Sequence, residues 1–333
     1  MAKHETEIGS PLDAAIIGVE DLDASLAFYR DEIGLSADTI EEWAGDAFER
    51  YWRLPAGTRA QAAFLGAGPD PVGRILLLEF DSPDRQQIRS PDMRRAVGLV
   101  NLNFYTRDIR ADYEYFHGKG YEFWSEPVQH DFGPRVGQPI EVVFNGPDSV
   151  AINLVELVTN DPDTLIGEMR WFVDSYGRTE TGYTPVVTSA HTVQSMNRAV
   201  GFYQGVLDMH VAIDEELSSA ESNHFLGLAA GARTHTVFMQ GAHMFGKIAL
   251  AQPLNYECPS MVSAAVAPNI GYIAQSFQVD DIEKARLACT SLDTEIYSEV
   301  TELDLPGRGP CRTMLVCNPG SGALQEIYQA GSG

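Results

Sequence analysis

Several things are scarce in this chain, and each scarcity excludes a class of function. Basic residues number only 23 against 47 acidic ones, a formal net charge of −24, so the clustered Lys and Arg that nucleic-acid phosphates or anionic membranes require are missing. No stretch approaches the 18 apolar residues of a membrane-spanning helix. The opening segment MAKHETEIGSPLD lacks the apolar core of a secretory signal, so a cytoplasmic location is expected. There are four cysteines, Cys258, Cys289, Cys311 and Cys317, none in a C-x-x-C pair, which argues against zinc or dithiol redox chemistry and for mostly buried, reduced thiols. Low-complexity tracts are absent, and 44% hydrophobic content over 333 residues is enough for two ordinary globular domains.

What is present is a duplication. GVEDLDASLAFY at 18–29 returns as TVQSMNRAVGFY at 192–203, an offset of 174. At that offset LPAGTRAQAAFL from Leu54 falls on LAAGARTHTVFM from Leu228, and at 173 Glu122, Arg135 and Asn145 fall on Glu295, Arg308 and Asn318. Two homologous halves follow, 8–160 and 184–330, joined by a linker at 161–183. Each half divides again. An apolar run, DAAIIGV, precedes a helix capped by Asp21 or Asp23, and β-rich runs follow at FERYWRL, AQAAFLG and GRILLLEF. The second unit repeats this order as LVNLNFY, the helix DIRADYEYFHGKG, then YEFWSE, IEVVFN and VAINLVEL. The expected class is α+β, with the unit βαβββ occurring four times.

The Val-x-Asp-Leu-x-x-Ser-Leu-x-Phe-Tyr phrase at Val19–Tyr29, its copy at Val193–Tyr203, VDDIEKA at 279–285 and the strand endings ILLLEF and NPGSGALQEIY resemble the vicinal oxygen chelate superfamily of glyoxalases, bleomycin-resistance proteins and extradiol dioxygenases. The resemblance implies βαβββ modules paired into half-open barrels, each around one cavity, with the two modules of each half expected to pair. In metal-dependent members it also implies a first-strand ligand, commonly His, seven residues before the Asp, and a last-strand Glu. Here the first-strand positions are Ala14, Asn101, Thr188 and Ala274, and the last-strand positions are assigned to Glu79, Asn153, Gln252 and Glu326. Neutral amides, a hydroxyl and alanines are poor transition-metal ligands, so no metal and no other cofactor is expected.

Strand alternation sends the residues two and four beyond each first-strand position the same way. The polar residues that line the cavities are therefore expected to be Asn101, Asn103, Tyr105, Asn153, Thr188, Thr192, Gln252, Ser276 and Gln278, together with Glu79. Glu326 is the leading candidate for catalysis, as a carboxylate no longer paired with a metal. His235 and His191, in the histidine-rich third module, are the other candidates; with a strand bulge they could join Glu326 in a displaced two-His-one-carboxylate site. Arg135 and Arg308 share similar loops, as internal salt bridges or as clamps for a substrate carboxylate.

Three functions are open at this point. One is a metal-independent enzyme of lyase, isomerase or cyclase type, doing acid–base chemistry on a hydrophobic or aromatic small molecule. A second is a protein that sequesters such a molecule, as in the bleomycin-resistance branch. The third is an extradiol-type dioxygenase with displaced ligands. The expected partner is the small molecule, with no nucleic acid or membrane, and the chain a monomer or homodimer.

Overall fold

A computed structural model describes residues 8–159 and 161–331. Residues 1–7 of the opening segment lie outside the described residues. The repeat is realised four times. The first module contains β1 (Ala14–Gly18), α1 (Leu22–Leu26, continuing as a π-helical turn over Ala27–Glu32), β2 (Ser36–Ala44), α2 (Asp46–Trp52), β3 (Arg59–Gly66) and β4 (Arg74–Phe80). The second contains β5 (Gly98–Thr106), α3 (Ile109–Gly118), β6 (Val128–Gln129), α4 (Gly133–Val136), β7 (Ile140–Asn145) and β8 (Ala151–Glu156). A linker helix, α5 (Leu165–Tyr176), follows. The third module holds β9 (Thr188–Thr192), α6 (Met196–Leu207), β10 (His210–Leu217), α7 (Ala220–Phe225), β11 (Thr234–Gln240) and β12 (Lys247–Pro253). The fourth holds β13 (Gly271–Gln278), α8 (Ile282–Ser291), β14 (Glu295–Leu305), β15 (Gly309–Cys317) and β16 (Leu324–Ala330). No described helix is long and apolar enough to cross a membrane.

Two expected strands differ. FERYWRL is the helix α2, because Phe48, Tyr51 and Trp52 recur at helical spacing and are buried on one face. YEFWSE joins the sheet only through a bridge between Phe123 and Phe144.

The strands form two eight-stranded sheets, β14-β15-β16-β13-β1-β4-β3-β2 and β10-β11-β12-β9-β5-β8-β7-β6. The first module therefore pairs with the fourth, through antiparallel β1 and β13, and the second with the third, through β5 and β9. This corrects the expected pairing within 8–160 and within 184–330: each sheet takes one module from each half. The halves do cohere, but through their helices. Phe28 of the first module's helical segment packs on Phe116 of α3 at 5.9 Å between ring centres, and α6 packs on α8.

Three of the four module helices start with an aspartate cap, and all four share a contact from the last strand. Asp21, Asp108 and Asp281 accept from amides of the first turn, and a side chain from the module's last strand takes the first helical N–H. Glu79 accepts from Leu22 N at 2.8 Å, Glu156 from Ile109 N at 3.0 Å, Gln252 from Met196 N at 3.1 Å and Gln329 from Ile282 N at 3.2 Å. Backbone donors that a helix leaves unpaired are thus satisfied from the adjacent strand.

The first strands divide the interior. Ala15, Ile17, Leu102, Phe104 and Phe277 face the helices in one large apolar cluster. His191 lies on this side too, fully buried, with Nδ1 3.0 Å from the Tyr203 hydroxyl and Nε2 2.6 Å from Ser321 Oγ. The Tyr203 O–H donates to Gln275 Oε1 at 2.8 Å, so Nδ1 carries the imidazole proton. Burial lowers His191 from its ordinary 6.5 to about 3.

On its other face, the first sheet is filled by its own side chains. Trp43, Phe48, Tyr51, Trp52, Phe64 and Phe80 pack there. Beside them Arg308, 3% exposed, forms ion pairs with Glu326 Oε1 at 2.8 Å and Asp13 Oδ2 at 3.0 Å. Ser276 donates to Glu326 Oε1 at 2.7 Å and Tyr51 to Glu326 Oε2 at 3.1 Å. Asp13 accepts from the Tyr328 O–H at 2.8 Å and pairs with Arg74. Burial alone would lower Arg308, but the charges of Asp13 and Glu326 outweigh it and hold its pKa up.

These buried groups have measurable consequences for stability. Arg308→Leu leaves the buried Glu326 without a counter-ion and Asp13 paired with Arg74 alone, and is expected to cost about 3–5 kcal/mol in urea unfolding. Its exposed repeat counterpart, Arg135→Leu, should stay within about 0.5 kcal/mol; equal losses would refute the structural difference. For His191 the folded pKa is depressed, so the unfolded chain binds a proton from about pH 6.5 downward while the folded one does not until about pH 3. Stability conferred by the neutral ring is whole above about pH 6.5 and falls as the pH drops. The melting temperature should therefore decline more steeply with acid in the wild type than in His191→Gln; parallel curves would remove His191 as the cause.

Candidate active site

The repeat places a different set of residues inside the second sheet. At the offset of 174, Trp43 becomes Leu217, Phe48 becomes Ser222, Tyr51 becomes Phe225 and Trp52 becomes Leu226. Each replacement removes volume or a hydroxyl from the interior. Glu326 corresponds to Asn153, and Arg135, the counterpart of Arg308, is exposed, reaching only Ala212 O at 3.5 Å. Where the first sheet is packed solid, the second encloses a cavity of about 170 Å³. The linker helix α5 forms part of its wall through Ile166 and Met169, and α7 with the residue that follows it forms another part through Ser222, Phe225 and Leu226.

The floor is amide-rich. Asn101 Nδ2 donates to Asn103 Oδ1 at 2.5 Å, and Asn153 Nδ2 donates to Glu141 Oε2 at 2.7 Å. Asn153 Oδ1 is buried with no partner among the described residues, as is Thr236 Oγ1 on the opposite wall. A buried acceptor without a donor loses its hydration and gains nothing in return, so both oxygens are suited to a guest. Glu141 and Val143 reach the cavity because they alternate along β7 opposite Val155 and Asn153 of β8. Tyr105 lies at the apolar end against Met169; burial, and next the charge of Glu141, raise its pKa above the ordinary phenol range.

Of the residues singled out from the sequence, Asn101, Asn103, Tyr105, Asn153 and Thr188 line this one cavity. Thr192 is buried beyond it. Glu79 and Gln252 are not cavity residues, since they satisfy helix starts. Parallel register shows why: Asn103 lies opposite Asn153 and Ser276 opposite Glu326, and the equivalent partners in the other modules are Leu76 for Ile16 and Ala249 for Ala190. The true last-strand positions are thus Leu76 and Ala249, three residues earlier than Glu79 and Gln252. Ser276 belongs to the Glu326 network, and Gln278 is exposed, accepting from Tyr328 at 3.3 Å.

The three catalytic candidates are not assembled. Glu326 is fully buried in the first sheet as the counter-ion of Arg308. His191 and His235 belong to the second sheet, and neither lines its cavity: His191 faces α6, and His235 lies on the outer face of β11, 2.7 Å from Asp214. Strand parity explains both, since each is one residue away from a cavity-facing neighbour, Ala190 or Thr236. The displaced two-His-one-carboxylate site is therefore not formed by these residues. Among the described residues no cluster of three His, Cys, Asp or Glu could hold a metal ion. At the inherited ligand positions the second sheet offers Asn101, Asn153, Thr188 and Ala249, a donor set that does not fit a transition metal.

Among the cavity residues that the motif reading passed over are Glu141, His130 and Arg95. Glu141 was detectable, as the charged residue of IEVVFN sharing a strand face with Val143. The other two come from irregular segments without periodicity.

Residues 12–154 match the family model of the Glyoxalase/Bleomycin resistance protein/Dioxygenase superfamily. Among solved structures, glyoxalase I from Zea mays is similar with a TM-score of 0.61 at 15% identity, covering 96% of this chain and 92% of that one. A putative dioxygenase from Bacillus subtilis is similar with a TM-score of 0.57 at 10% identity, covering 98% and 87%. At such identities the likeness is one of fold. No curated protein matches the sequence. The match to the Glyoxalase/Bleomycin resistance protein/Dioxygenase superfamily thus covers residues 12–154, and the likeness to the solved structures, which extends over nearly the whole chain, is one of fold.

Proposed function

We propose that the chain is a metal-independent enzyme that binds a small, largely apolar molecule inside the second sheet and moves a proton with Glu141. The observation that carries this reading is the floor of the cavity, where Glu141 and Asn153 stand together in a mostly apolar enclosure beside the positions at which relatives would hold metal ligands. A carboxylate there is a Brønsted base with restricted access to water. Its Asn153 partner leaves one oxygen free to take a hydrogen bond from the guest, which would orient an acidic C–H, N–H or O–H toward Glu141.

Deprotonation at Glu141 and return of the proton at another atom is an isomerisation; loss of a neighbouring leaving group is an elimination. Both require orientation and a base, and neither requires a redox centre. Apolar walls from Val136, Leu157, Ile166 and Met169 suit the body of a hydrophobic guest. The volume is comparable with the cavity of about 150 Å³ that accepts benzene in an engineered protein core, so the guest's body is about the size of one ring.

The test works with an unidentified substrate. A small-molecule extract is incubated with wild type, chelator-treated wild type and Glu141→Gln, and followed by mass spectrometry. At least one compound should be consumed by the first two, and its turnover by Glu141→Gln should fall about 10²–10⁴-fold while binding stays within a few-fold. Iron and manganese in protein purified without chelator should lie well below one equivalent. Turnover that disappears with chelator and returns with either metal would reject the proposal, and retention of a compound that no form consumes would point to sequestration instead.

A further inference from the structure

The cavity has a second polar end, distinct from the Glu141 floor. Arg95 lines it from the segment joining the first two modules, half-buried. That segment carries Arg85, Arg89 and Arg94 as well, and each of those spends its guanidinium on carbonyls or amides of the protein: Arg85 on Val19 O, Arg89 on Ser149 O, Met93 O and Asn145 Oδ1, Arg94 on Trp124 O. Arg95 differs. Its Nε donates to Leu226 O at 3.2 Å and its planar group lies 5.4 Å from the Trp124 ring centre. A guanidinium has five N–H donors, and the rest of this fork has no hydrogen-bond partner among the described residues.

Among the same residues no carboxylate neutralises it. Burial lowers the pKa of Arg95 to about 10, against which Tyr256 and Cys258, neither charged at neutral pH, act to raise it; a further charge that interacts with it is that of Arg89, a second cation. Arg95 thus remains a cation at the edge of a mostly apolar enclosure whose carboxylates, Glu141 and Glu215, form no ion pair with it. A half-buried cation without a carboxylate partner is only partly compensated, and a complementary ion that enters the cavity improves the balance.

His130 lies at the same end. It is 3% exposed, stacked on Phe132 at 5.0 Å and edge-on to Phe225 at 4.9 Å, and both its ring nitrogens are buried without a partner among the described residues. Whichever neutral tautomer it adopts, one nitrogen carries a hydrogen to donate. His130 against Phe225 and Arg95 against Leu226 contact two consecutive residues at the end of α7, which places both in the cavity lining at the α7 end.

We infer that Arg95 and His130 form the seat for a carboxylate, and that the ligand of this cavity is a small apolar carboxylic acid of about one ring or a short alkyl chain, with its acid group at the α7 end and its body toward Tyr105 and Met169. Arginine suits the task because its planar fork matches both oxygens of a carboxylate. This rests on the reading that the cavity is the functional site and names the chemistry of what enters it; it does not depend on Glu141 moving a proton.

Calorimetric titration of the full chain with benzoate, phenylacetate, cinnamate and hexanoate, each beside its primary amide, tests the inference. At least one acid should bind the wild type about tenfold or more tightly than its amide, the difference expected when a charged hydrogen-bond pair replaces a neutral one. Arg95→Met, which keeps the unbranched stem packed on Trp124, should abolish that preference by weakening the acid while the amide is unchanged. His130→Phe should weaken the acid by a smaller factor. Should Arg95→Met fail to fold, the wild-type preference of acid over amide still decides. Equal binding of acid and amide, an undiminished preference in folded Arg95→Met, or no binding by any acid of the panel would overturn the inference. The two proposals separate cleanly. An acid preference retained in a fully active Glu141→Gln protein rejects the proton-transfer role and leaves the seat standing; an inactive Glu141→Gln protein without any acid preference does the reverse.

Discussion

A βαβββ module leaves its first strand with one unpaired edge, and the architecture of this chain follows from how those four edges are covered. Within a module the order is first, fourth, third and second strand, so the first strand ends the sheet with a row of free backbone donors and acceptors. Two such edges satisfy each other when they meet antiparallel, as β1 meets β13 and β5 meets β9. Because all four modules share one plan, the edge alone does not select its partner. Selection comes from the segments 81–97 and 254–270, which carry the chain from one sheet to the other and touch through the bridges Gln87–Ile270 and Val97–Ser260. Neighbouring modules are thereby placed in different sheets, while their helices remain packed together.

Once paired, the two sheets have gone separate ways inside. The first holds a bulky aromatic set and a compensated cluster of charges in which Arg308 is shared by Glu326 and Asp13. Such a cluster is self-consistent only as a whole, since removal of one member exposes another to a low-dielectric interior. In the second sheet the counterpart of each key member is missing or turned outward: Asn153 in place of Glu326, Arg135 exposed, Leu217 and Leu226 in place of two tryptophans. Space and unsatisfied polar atoms are what remain, and these are the requirements of a binding site.

How much of this was legible in the sequence depended on periodicity. Module number came from the repeat, and strand parity turned Asn101, Asn103, Tyr105 and Thr188 toward cavities; the expected pairing of modules assigned Thr188 to a different cavity from the other three, and the pairing of the second module with the third puts all four in one. Parity also explains where His191 and His235 went, each one residue off the cavity-facing register. The last strands were harder, because in the first and third modules the relevant positions are Leu76 and Ala249, with no polar side chain to mark them. The nearest polar residues, Glu79 and Gln252, were helix caps. Glu326 occupied the inherited position, yet its partners are Arg308, Ser276 and Tyr51, the last 275 positions away in the chain, and no local pattern encodes such a network. The pairing of modules was illegible for the same reason: equivalent edges look alike in sequence.

The floor and the far end of the cavity differ in origin. With Asn101, Asn153 and Thr188 at the positions where the family resemblance implies ligands, the floor is a set of hydrogen-bonding groups that does not fit a transition metal, and among the described residues the carboxylate bonded to it is Glu141, on the neighbouring strand. The opposite end owes its character to Arg95 and His130, supplied by a connecting segment and by the second module's loop, outside the repeated strand framework. A cation at one end and a base at the other, separated by apolar walls, give the cavity a direction. A guest with one anionic end would enter in a single orientation, and the proton that Glu141 could reach would be set by the guest's length rather than by a metal's coordination geometry.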